Sequence, residues 1–199
     1  GVHLPADLHG DVVTPLSTLR RMWRYARGTA LRPEMAERWG LTLSDWVAYH
    51  QRDIIKARRS TWMGIPTLKN PLAAWIYQEI LAATSPALIV EIGSLMGGST
   101  MFLAHLCDIM GRGEIISVDI DRSVWKASHP RIATVTGDSN DPATVAEVWQ
   151  KAAGRSGLVI HDGCHDAPQV LQDLESYSGL VAPGSYLIVE DTFVDAFTM

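Results

Sequence analysis

The stretch Val90-Glu91-Ile92-Gly93-Ser94-Leu95-Met96-Gly97-Gly98-Ser99 decides the fold, because an apolar strand gives way there to a glycine-rich turn and then to a helix. Residues 87–90 are apolar enough for a strand buried on both faces, and residues 100–110 repeat apolar side chains at helical spacing. Glycines let the backbone approach a ligand closely. The spacing E-x-G-x-x-x-G-G-S differs from the G-x-G-x-x-G of dinucleotide sites, so the turn favours another adenosine-bearing cofactor.

The sequence after residue 85 alternates apolar strands with helices. We predict strands at about 87–92, 114–119, 131–136, 157–162 and 184–190, with helices between most of them. This alternation predicts an α/β fold with a doubly wound, Rossmann-like sheet in residues 86–199. Residues 1–85 carry helical patterns near 14–27, 43–57 and 71–83, and we expect them to form a helical lid or packing region.

Composition narrows the class of protein. The 199 residues carry a formal net charge of −5 and no basic run longer than Arg58-Arg59, so nucleic acid is not an expected partner. No apolar run has the roughly 20 residues of a membrane span, so no membrane partner is expected. The two cysteines, Cys107 and Cys164, do not suggest a disulfide framework and favour a reducing, cytoplasmic location. Aromatic residues in the N-terminal helical patterns are compatible with a homo-oligomer.

Polar residues end the second and third predicted strands. Ligands of open parallel sheets bind outside the carboxyl ends of the strands, so these residues are candidates for cofactor contacts. The carboxylate of Asp119 could accept hydrogen bonds from both hydroxyls of a ribose. Asp138 and Ser139 could face an adenine amino group; alternatively, their segment caps the helix that begins near Pro142.

Three carboxylates follow the last two predicted strands. Asp162 ends one strand, and Glu190 and Asp191 end the next. Like charges at one edge of a sheet repel one another and need protons or a cation, and oxygen ligands favour Mg²⁺ or a similar hard metal. We therefore predict a metal site formed by Asp162, Glu190 and Asp191, with ordinary caps or turn residues as the alternative.

His165 is the predicted general base. It lies three residues after Asp162, and a neutral imidazole could take a hydroxyl proton while the metal orients the acceptor. The alternative is a solvent-facing histidine at a helix N-terminus. Strand alternation turns His161 to the opposite side, so we expect it to be packed or hydrogen-bonded. Cys164 has no recognisable oxyanion feature or orienting partner, which argues against a nucleophile.

A series of motifs resembles the cephalosporin hydroxylase family over roughly residues 60–192. The motifs occur in this order: Trp62-x-Gly64, Lys69-x-Pro71, Trp75-x-Tyr77-Gln78-Glu79, the Glu91 to Ser99 loop, Val118-Asp119-Ile120-Asp121, His129-Pro130-Arg131-Ile132, Gly137-Asp138-Ser139, Asp162-x-x-His165 and Gly184-Ser185-Tyr186-Leu187-Ile188-Val189-Glu190-Asp191-Thr192. Despite its name, this family consists largely of class I S-adenosylmethionine-dependent methyltransferases, including rhamnosyl and macrolide-sugar O-methyltransferases.

The resemblance implies Mg²⁺-dependent O-methylation of a hydroxyl of a sugar or natural-product small molecule. It implies S-adenosylmethionine contacts at Glu91, Gly93, Ser99, Asp119, Asp138 and Ser139, metal ligands at Asp162, Glu190 and Asp191, and a base at His165. Two other classes stay open: a metal-dependent hydroxylase or oxygenase, and a noncatalytic cofactor-binding partner protein. Three carboxylates and one histidine do not suit the two-histidine, one-carboxylate iron site of oxygenases.

The sequence departs from the family pattern at three places. His161 stands where the family usually has Asp or Ser, and Cys164 interrupts the sequence pattern that is more common before His165. Class I methyltransferases close their sheet with two further strands, for which residues 193–199 are too short. We therefore expect that the C-terminal strands are incomplete and that part of the acceptor pocket lies outside this sequence.

Overall fold

The computed structural model describes residues 60–192, together with Gly40, Thr42, Asp45 and Tyr49. The chain divides into two compact units, residues 1–47 and 48–199. The helices predicted near 14–27 and 43–57 lie outside the described residues, apart from Asp45 and Tyr49, which are helical. None of the helices in the described part of the chain has the length and apolar character needed to cross a membrane.

The second unit contains a parallel sheet with helices between its strands. In the described residues the elements are the hairpin strands β1 (Thr61–Trp62) and β2 (Ile65–Pro66), then α1 (Pro71–Thr84), β3 (Leu88–Ile92), α2 (Gly98–Met110), β4 (Glu114–Asp119), β5 (Ile132–Thr136), α3 (Pro142–Ala152), β6 (Leu158–His161), α4 (Ala167–Tyr177) and β7 (Leu187–Val189). Strands β3 to β7 pair in parallel in the order β5-β4-β3-β6-β7. The predicted α/β fold, its five strands and the helix near 71–83 are confirmed, although β7 is shorter than expected.

Two apolar clusters, one on each face of the sheet, form the core. Consecutive side chains of a strand point to opposite faces, so the apolar residues of β3 are divided between the clusters and the whole strand is buried. One cluster joins Ile89, Ile115 and Ile160 to Leu81 of α1 and Leu103 of α2. The other joins the sheet to α3 and α4, and contains Leu88, Val90, Ile92, Ile116, Val118, Val135, Val148, Ala152, Val159, Tyr177 and Leu180.

Helix starts near the carboxyl end of the sheet are marked by a side-chain cap followed by proline. Asn70 accepts a hydrogen bond from the backbone N–H of Leu72 over 2.8 Å, and Pro71 is the first residue of α1. Helix α3 begins in the same way after Asp141, which accepts from the backbone N–H of Ala143 over 2.8 Å. Asp141 therefore caps α3.

The β1–β2 hairpin is held against α2. The indole Nε1–H of Trp62 donates to Nδ1 of His105 in α2 over 2.9 Å. Gly98 at the start of α2 allows the hairpin backbone to approach, since a Cβ there would lie 2.7 Å from the carbonyl oxygen of Ile65. These contacts fix the direction in which the chain leaves the hairpin toward Lys69.

The strand order reverses between β3 and β6. From β3 the chain builds the sheet outward through β4 and β5, and then crosses to build β6 and β7 on the other side. Loops that leave two adjacent strands in opposite directions open a crevice at their carboxyl ends. The candidate residues Gly93 and Asp162 follow these two strands.

Candidate active site

A cavity of about 590 Å³ lies at the carboxyl end of the sheet, in the crevice between β3 and β6. Five of the six predicted cofactor contacts line it, namely Gly93, Ser99, Asp119, Asp138 and Ser139. The predicted base and two of the three predicted metal ligands line it as well, namely His165, Asp162 and Asp191. Glu91 and Glu190 are not among the lining residues.

Asp119 anchors the glycine-rich turn. Its Oδ2 accepts hydrogen bonds from the backbone N–H groups of Ser94 and Leu95 over 2.8 and 2.7 Å. Its Oδ1 accepts from the backbone N–H of Asp121 over 3.1 Å. A carboxylate has about four acceptor positions, so Asp119 retains capacity for a ribose hydroxyl, and that contact stays a prediction.

Glu91 lies beneath the cavity, not on its wall. The side chain is fully buried, and its Oε2 accepts a hydrogen bond from the Thr100 hydroxyl. Burial raises the pKa of Glu91, while Lys69 and the hydroxyls of Ser99 and Thr100 act in the opposite direction. Its Oε1 has no hydrogen-bond partner among the described residues, so one oxygen of this buried carboxylate keeps its acceptor capacity.

The segment after β5 presents Asp138 to the cavity and turns the Ser139 hydroxyl inward. Asp138 is exposed, and its Oδ1 accepts from the backbone N–H of Asn140 over 3.0 Å. The Ser139 hydroxyl donates to Oδ2 of Asp173 in α4 over 2.9 Å. An adenine contact is therefore open to the Asp138 carboxylate, whereas the Ser139 hydroxyl already has a protein partner.

His161 is hydrogen-bonded inside the protein. Its Nε2 lies 2.9 Å from Oδ2 of Asp173, and both side chains are buried. The prediction of a packed or hydrogen-bonded histidine is therefore confirmed. Because His161 is directed to α4, the described part of the site offers His165 as its one cavity-lining histidine.

Asp162, His165 and Asp191 come together at one end of the cavity. Each offers a ligand atom, and the three atoms lie within 4.8 Å of one another. Nε2 of His165 lies 3.8 Å from Oδ2 of Asp191, which is an electrostatic approach and not a hydrogen bond. Asp191 adopts a left-handed backbone conformation with φ of 53°, two residues beyond the end of β7.

Glu190 is held by two partners, Lys69 and Tyr77, whose roles the sequence does not reveal. Lys69 donates through Nζ to Oε1 of Glu190 over 2.5 Å and to Oδ2 of Asp162 over 2.6 Å. The Tyr77 hydroxyl of α1 also donates to Oε1 of Glu190. Two of the predicted ligands, Asp162 and Asp191, thus line the cavity. The third, Glu190, does not line it and is hydrogen-bonded to Lys69.

Lys69 compensates only part of the negative charge of the carboxylates around it. Burial opposes the charged form of Lys69, but Asp162, Glu190 and Glu91 together raise its pKa above the usual value. Burial raises the pKa of Asp162 to about 7, against the lowering effect of Lys69 and with a further increase from Glu190 and Asp191. Carboxylates in such a setting favour an additional cation.

Arg122 is another residue whose role the sequence did not reveal. Its Nη1 donates to the Ser94 hydroxyl over 2.9 Å and to the Ser117 hydroxyl over 3.1 Å. Its Nη2 donates to the carbonyl oxygen of Val135 over 3.0 Å. Arg122 therefore ties the glycine-rich turn to β4 and β5 from below.

The residues present fit a divalent metal and a nucleoside cofactor. Asp162 and Asp191 supply the oxygen donors that Mg²⁺ prefers, whereas the nitrogen of His165 is a weaker match for that ion. Gly93 leaves the backbone bare at the turn, and the exposed side chains of Leu95 and Ile120 line the cavity beside it. Apolar surface with a few polar groups is typical of ligand sites.

The fold and the site together define an α/β protein of the class that binds a nucleotide-type cofactor at the carboxyl edge of a parallel sheet. The chain belongs to the Rhamnosyl O-methyltransferase/CmcI family, which it matches over residues 56–198.

Known relatives are consistent with this membership. The chain is 35% identical to a rhamnosyl O-methyltransferase of Mycobacterium leprae over 138 residues, which are 67% of this chain and 60% of that protein. It is also 35% identical over 96 residues to a demethylmacrocin O-methyltransferase of Streptomyces fradiae, covering 48% of this chain and 23% of that protein. The match thus spans about three-fifths of the length of the first of these relatives.

A solved structure of CmcI with Mg-SAM has a similar fold. The TM-score is 0.58 at 23% sequence identity, and the match covers 96% of this chain and 71% of that chain. At this level of identity the likeness supports the fold and not the activity.

Proposed function

We propose that the protein is an S-adenosylmethionine-dependent and Mg²⁺-dependent O-methyltransferase that acts on a hydroxyl of a sugar or natural-product small molecule. The observation that carries the proposal is the convergence of Asp162, His165 and Asp191 at one end of the cavity that the glycine-rich turn borders. Family membership and the O-methyltransferase names of the relatives support the same reaction.

The cofactor would lie against the glycine-rich turn. Gly93 allows close backbone approach, Asp119 would offer its remaining acceptor capacity to the ribose, and Asp138 would face the adenine. Ser99 is in reach of the cavity, and Glu91 would act from beneath it. A cavity of about 590 Å³ is within the usual range for sites of small ligands.

The metal would be held by Asp162 and Asp191, with Glu190 as the third predicted ligand. When bound, S-adenosylmethionine supplies an electrophilic methyl group and Mg²⁺ supplies a Lewis acid for the acceptor. His165 would accept the hydroxyl proton at Nε2, which lies 3.8 Å from Oδ2 of Asp191. Most of the rate would come from alignment of the acceptor oxygen with the methyl carbon and sulfur.

The acceptor class comes from the relatives and from the site. Their names specify rhamnosyl and demethylmacrocin acceptors, and neighbouring hydroxyls of a sugar are suited to a metal held by carboxylates. A cytoplasmic location, a homo-oligomeric state and a boundary near residue 85 between lid and cofactor domain stay predictions.

Calorimetric titration of S-adenosylmethionine and S-adenosylhomocysteine, with and without Mg²⁺, tests the proposal before any acceptor is known. We expect binding of both ligands and then turnover in a screen of hydroxylated sugars and natural products. A folded protein that binds neither ligand would refute the proposal. Tight binding without turnover of any acceptor would favour the noncatalytic partner protein.

The metal assignment is tested by Asp162→Ala. We expect turnover to fall at least about 100-fold while the affinity for S-adenosylhomocysteine changes little, because the role proposed for this cavity-lining side chain is to hold the metal and not the cofactor. Asp166→Ala is the matched control, since Asp166 is exposed and does not line the cavity. Full activity of the Asp162 variant, or full activity of the wild type in EDTA, would contradict the metal assignment.

A further inference from the structure

Lys69 lies between two carboxylates that the proposed function assigns to the metal, and the lysine itself has no part in that proposal. Its Nζ lies 2.6 Å from Asp162 and 2.5 Å from Glu190, and its side chain is 11% exposed. The two carboxylate side chains are 22% and 19% exposed. An ion pair so shielded from water interacts more strongly than an exposed one.

The position of Lys69 is fixed from both sides along the chain. Before it, the Thr67 backbone N–H donates to the carbonyl oxygen of Ser60 over 3.0 Å, which closes the segment that contains the hairpin. After it, Asn70 and Pro71 begin α1. The ammonium group is therefore delivered to the carboxylates by a short, anchored segment.

Tyr77 completes the arrangement from α1. Its hydroxyl donates to the same Oε1 of Glu190 that accepts from Lys69, and the ammonium group lies 5.8 Å from the centre of its ring. Tyr77 is buried, so the orientation of Glu190 is set by two donors on one oxygen. These two hydrogen bonds restrict the rotation of the Glu190 side chain.

We propose that Lys69 is a tethered cation that holds Asp162 and Glu190 together when no divalent ion is bound, and that it competes with such an ion for these carboxylates. This inference rests on the proposed function in one respect, since it takes Asp162 and Glu190 as ligands of a divalent metal. Lys69 is thus a positioning residue: it assembles the carboxylate side of the site before the metal arrives.

Two opposite effects follow from the removal of this charge. Without Lys69, the two shielded carboxylates repel each other or must take up a proton, and the metal-free protein loses stability. The same uncompensated charge attracts a divalent ion more strongly, so metal affinity rises. A lysine that merely fills space would produce neither the gain in affinity nor the recovery of stability on metal addition.

The test is thermal unfolding of Lys69→Met in EDTA and in 10 mM MgCl₂, together with Mn²⁺ titration followed by electron paramagnetic resonance. We expect the melting temperature in EDTA to fall by roughly 6–15 °C and MgCl₂ to recover much of that loss. We expect Mn²⁺ to bind at least about tenfold more tightly than to the wild type. Lys126→Met is the matched control, because Lys126 is exposed, and it should behave as the wild type.

The double variant Lys69→Met/Glu190→Gln keeps the inference testable if the single variant does not fold in EDTA. It has one carboxylate fewer, so it should be more stable in EDTA than Lys69→Met. A double variant that is no more stable, or a single variant with the melting temperature of the control and unchanged Mn²⁺ affinity, would overturn the inference. A wild type that binds neither Mn²⁺ nor S-adenosylhomocysteine would refute the proposed function, while the stability comparison in EDTA would still decide the role of Lys69.

Discussion

Gly93→Ala is the most direct test of how the sheet forms the site. Gly93 has a φ of 82°, and a Cβ there would overlap the carbonyl group of Asp162 and lie 2.6 Å from Cα of Gly163. The atoms in conflict are backbone atoms that follow two paired strands, since β3 and β6 are hydrogen-bonded neighbours. The new methyl group must therefore push these strand ends apart.

The loss of stability expected for Gly93→Ala has two parts. The left-handed conformation of an alanine costs about 1 kcal/mol, and the forced backbone shift adds about 1–3 kcal/mol. For a chain of 199 residues, a total of about 2–4 kcal/mol corresponds to a fall in melting temperature of roughly 6–15 °C. Gly111→Ala separates the two parts, because Gly111 has a φ of 68° but no atom within 4 Å of an added Cβ.

Urea and thermal unfolding of both variants provide the comparison, and calorimetry with S-adenosylhomocysteine provides the functional readout. We expect Gly111→Ala to lose only about 1 kcal/mol and to bind the ligand normally. Gly93→Ala should lose two to four times as much free energy of unfolding and bind at least about tenfold more weakly, because the turn and Asp162 move together. Equal losses in the two variants would refute the steric argument.

Two further predictions concern the cysteines. Cys164 is exposed and lines the cavity, so thiol reagents should modify it rapidly at neutral pH. Bound S-adenosylhomocysteine should slow that reaction at least about fivefold. An unchanged rate with saturating ligand would place the ligand elsewhere. Burial raises the pKa of Cys107 to about 11, so the neutral thiol contributes stability that is fully present below about pH 9 and is lost as the pH rises from 9 to 11. Over this pH range, the free energy of unfolding should fall by about 2 kcal/mol more for the wild type than for Cys107→Ala. Parallel curves of the free energy of unfolding against pH would contradict this reasoning.

The local pattern of the sequence was sufficient for the fold and for the wall of the cavity. β3 is recognisable from the apolar run at residues 87–90, and its end positions Gly93 next to the end of β6. The acidic residues at strand ends could be found because parallel strands bring their carboxyl ends to one edge. Asp119 and Asp162 line the cavity for that reason.

The partners within the site depend on contacts between distant parts of the chain. Lys69 meets Asp162 and Glu190 across 93 and 121 residues, and a single lysine before a helix carries no periodic pattern that predicts such a pair. Asp173 did leave a detectable pattern, since it shares helical spacing with Val170 and Tyr177 on the inner face of α4. A carboxylate on an apolar helix face indicates a buried partner, which is His161.

The backbone of Asp191 has a consequence for protein engineering. A residue other than glycine at a φ of 53° carries a conformational penalty of about 1 kcal/mol, which Asp191→Gly would relieve in part, since glycine loses more conformational entropy on folding. A selection that rewards thermal tolerance alone would therefore favour that exchange and remove a carboxylate from the cavity wall. Stabilising libraries for this scaffold should hold position 191 constant and draw their gains from surfaces far from the end of β7.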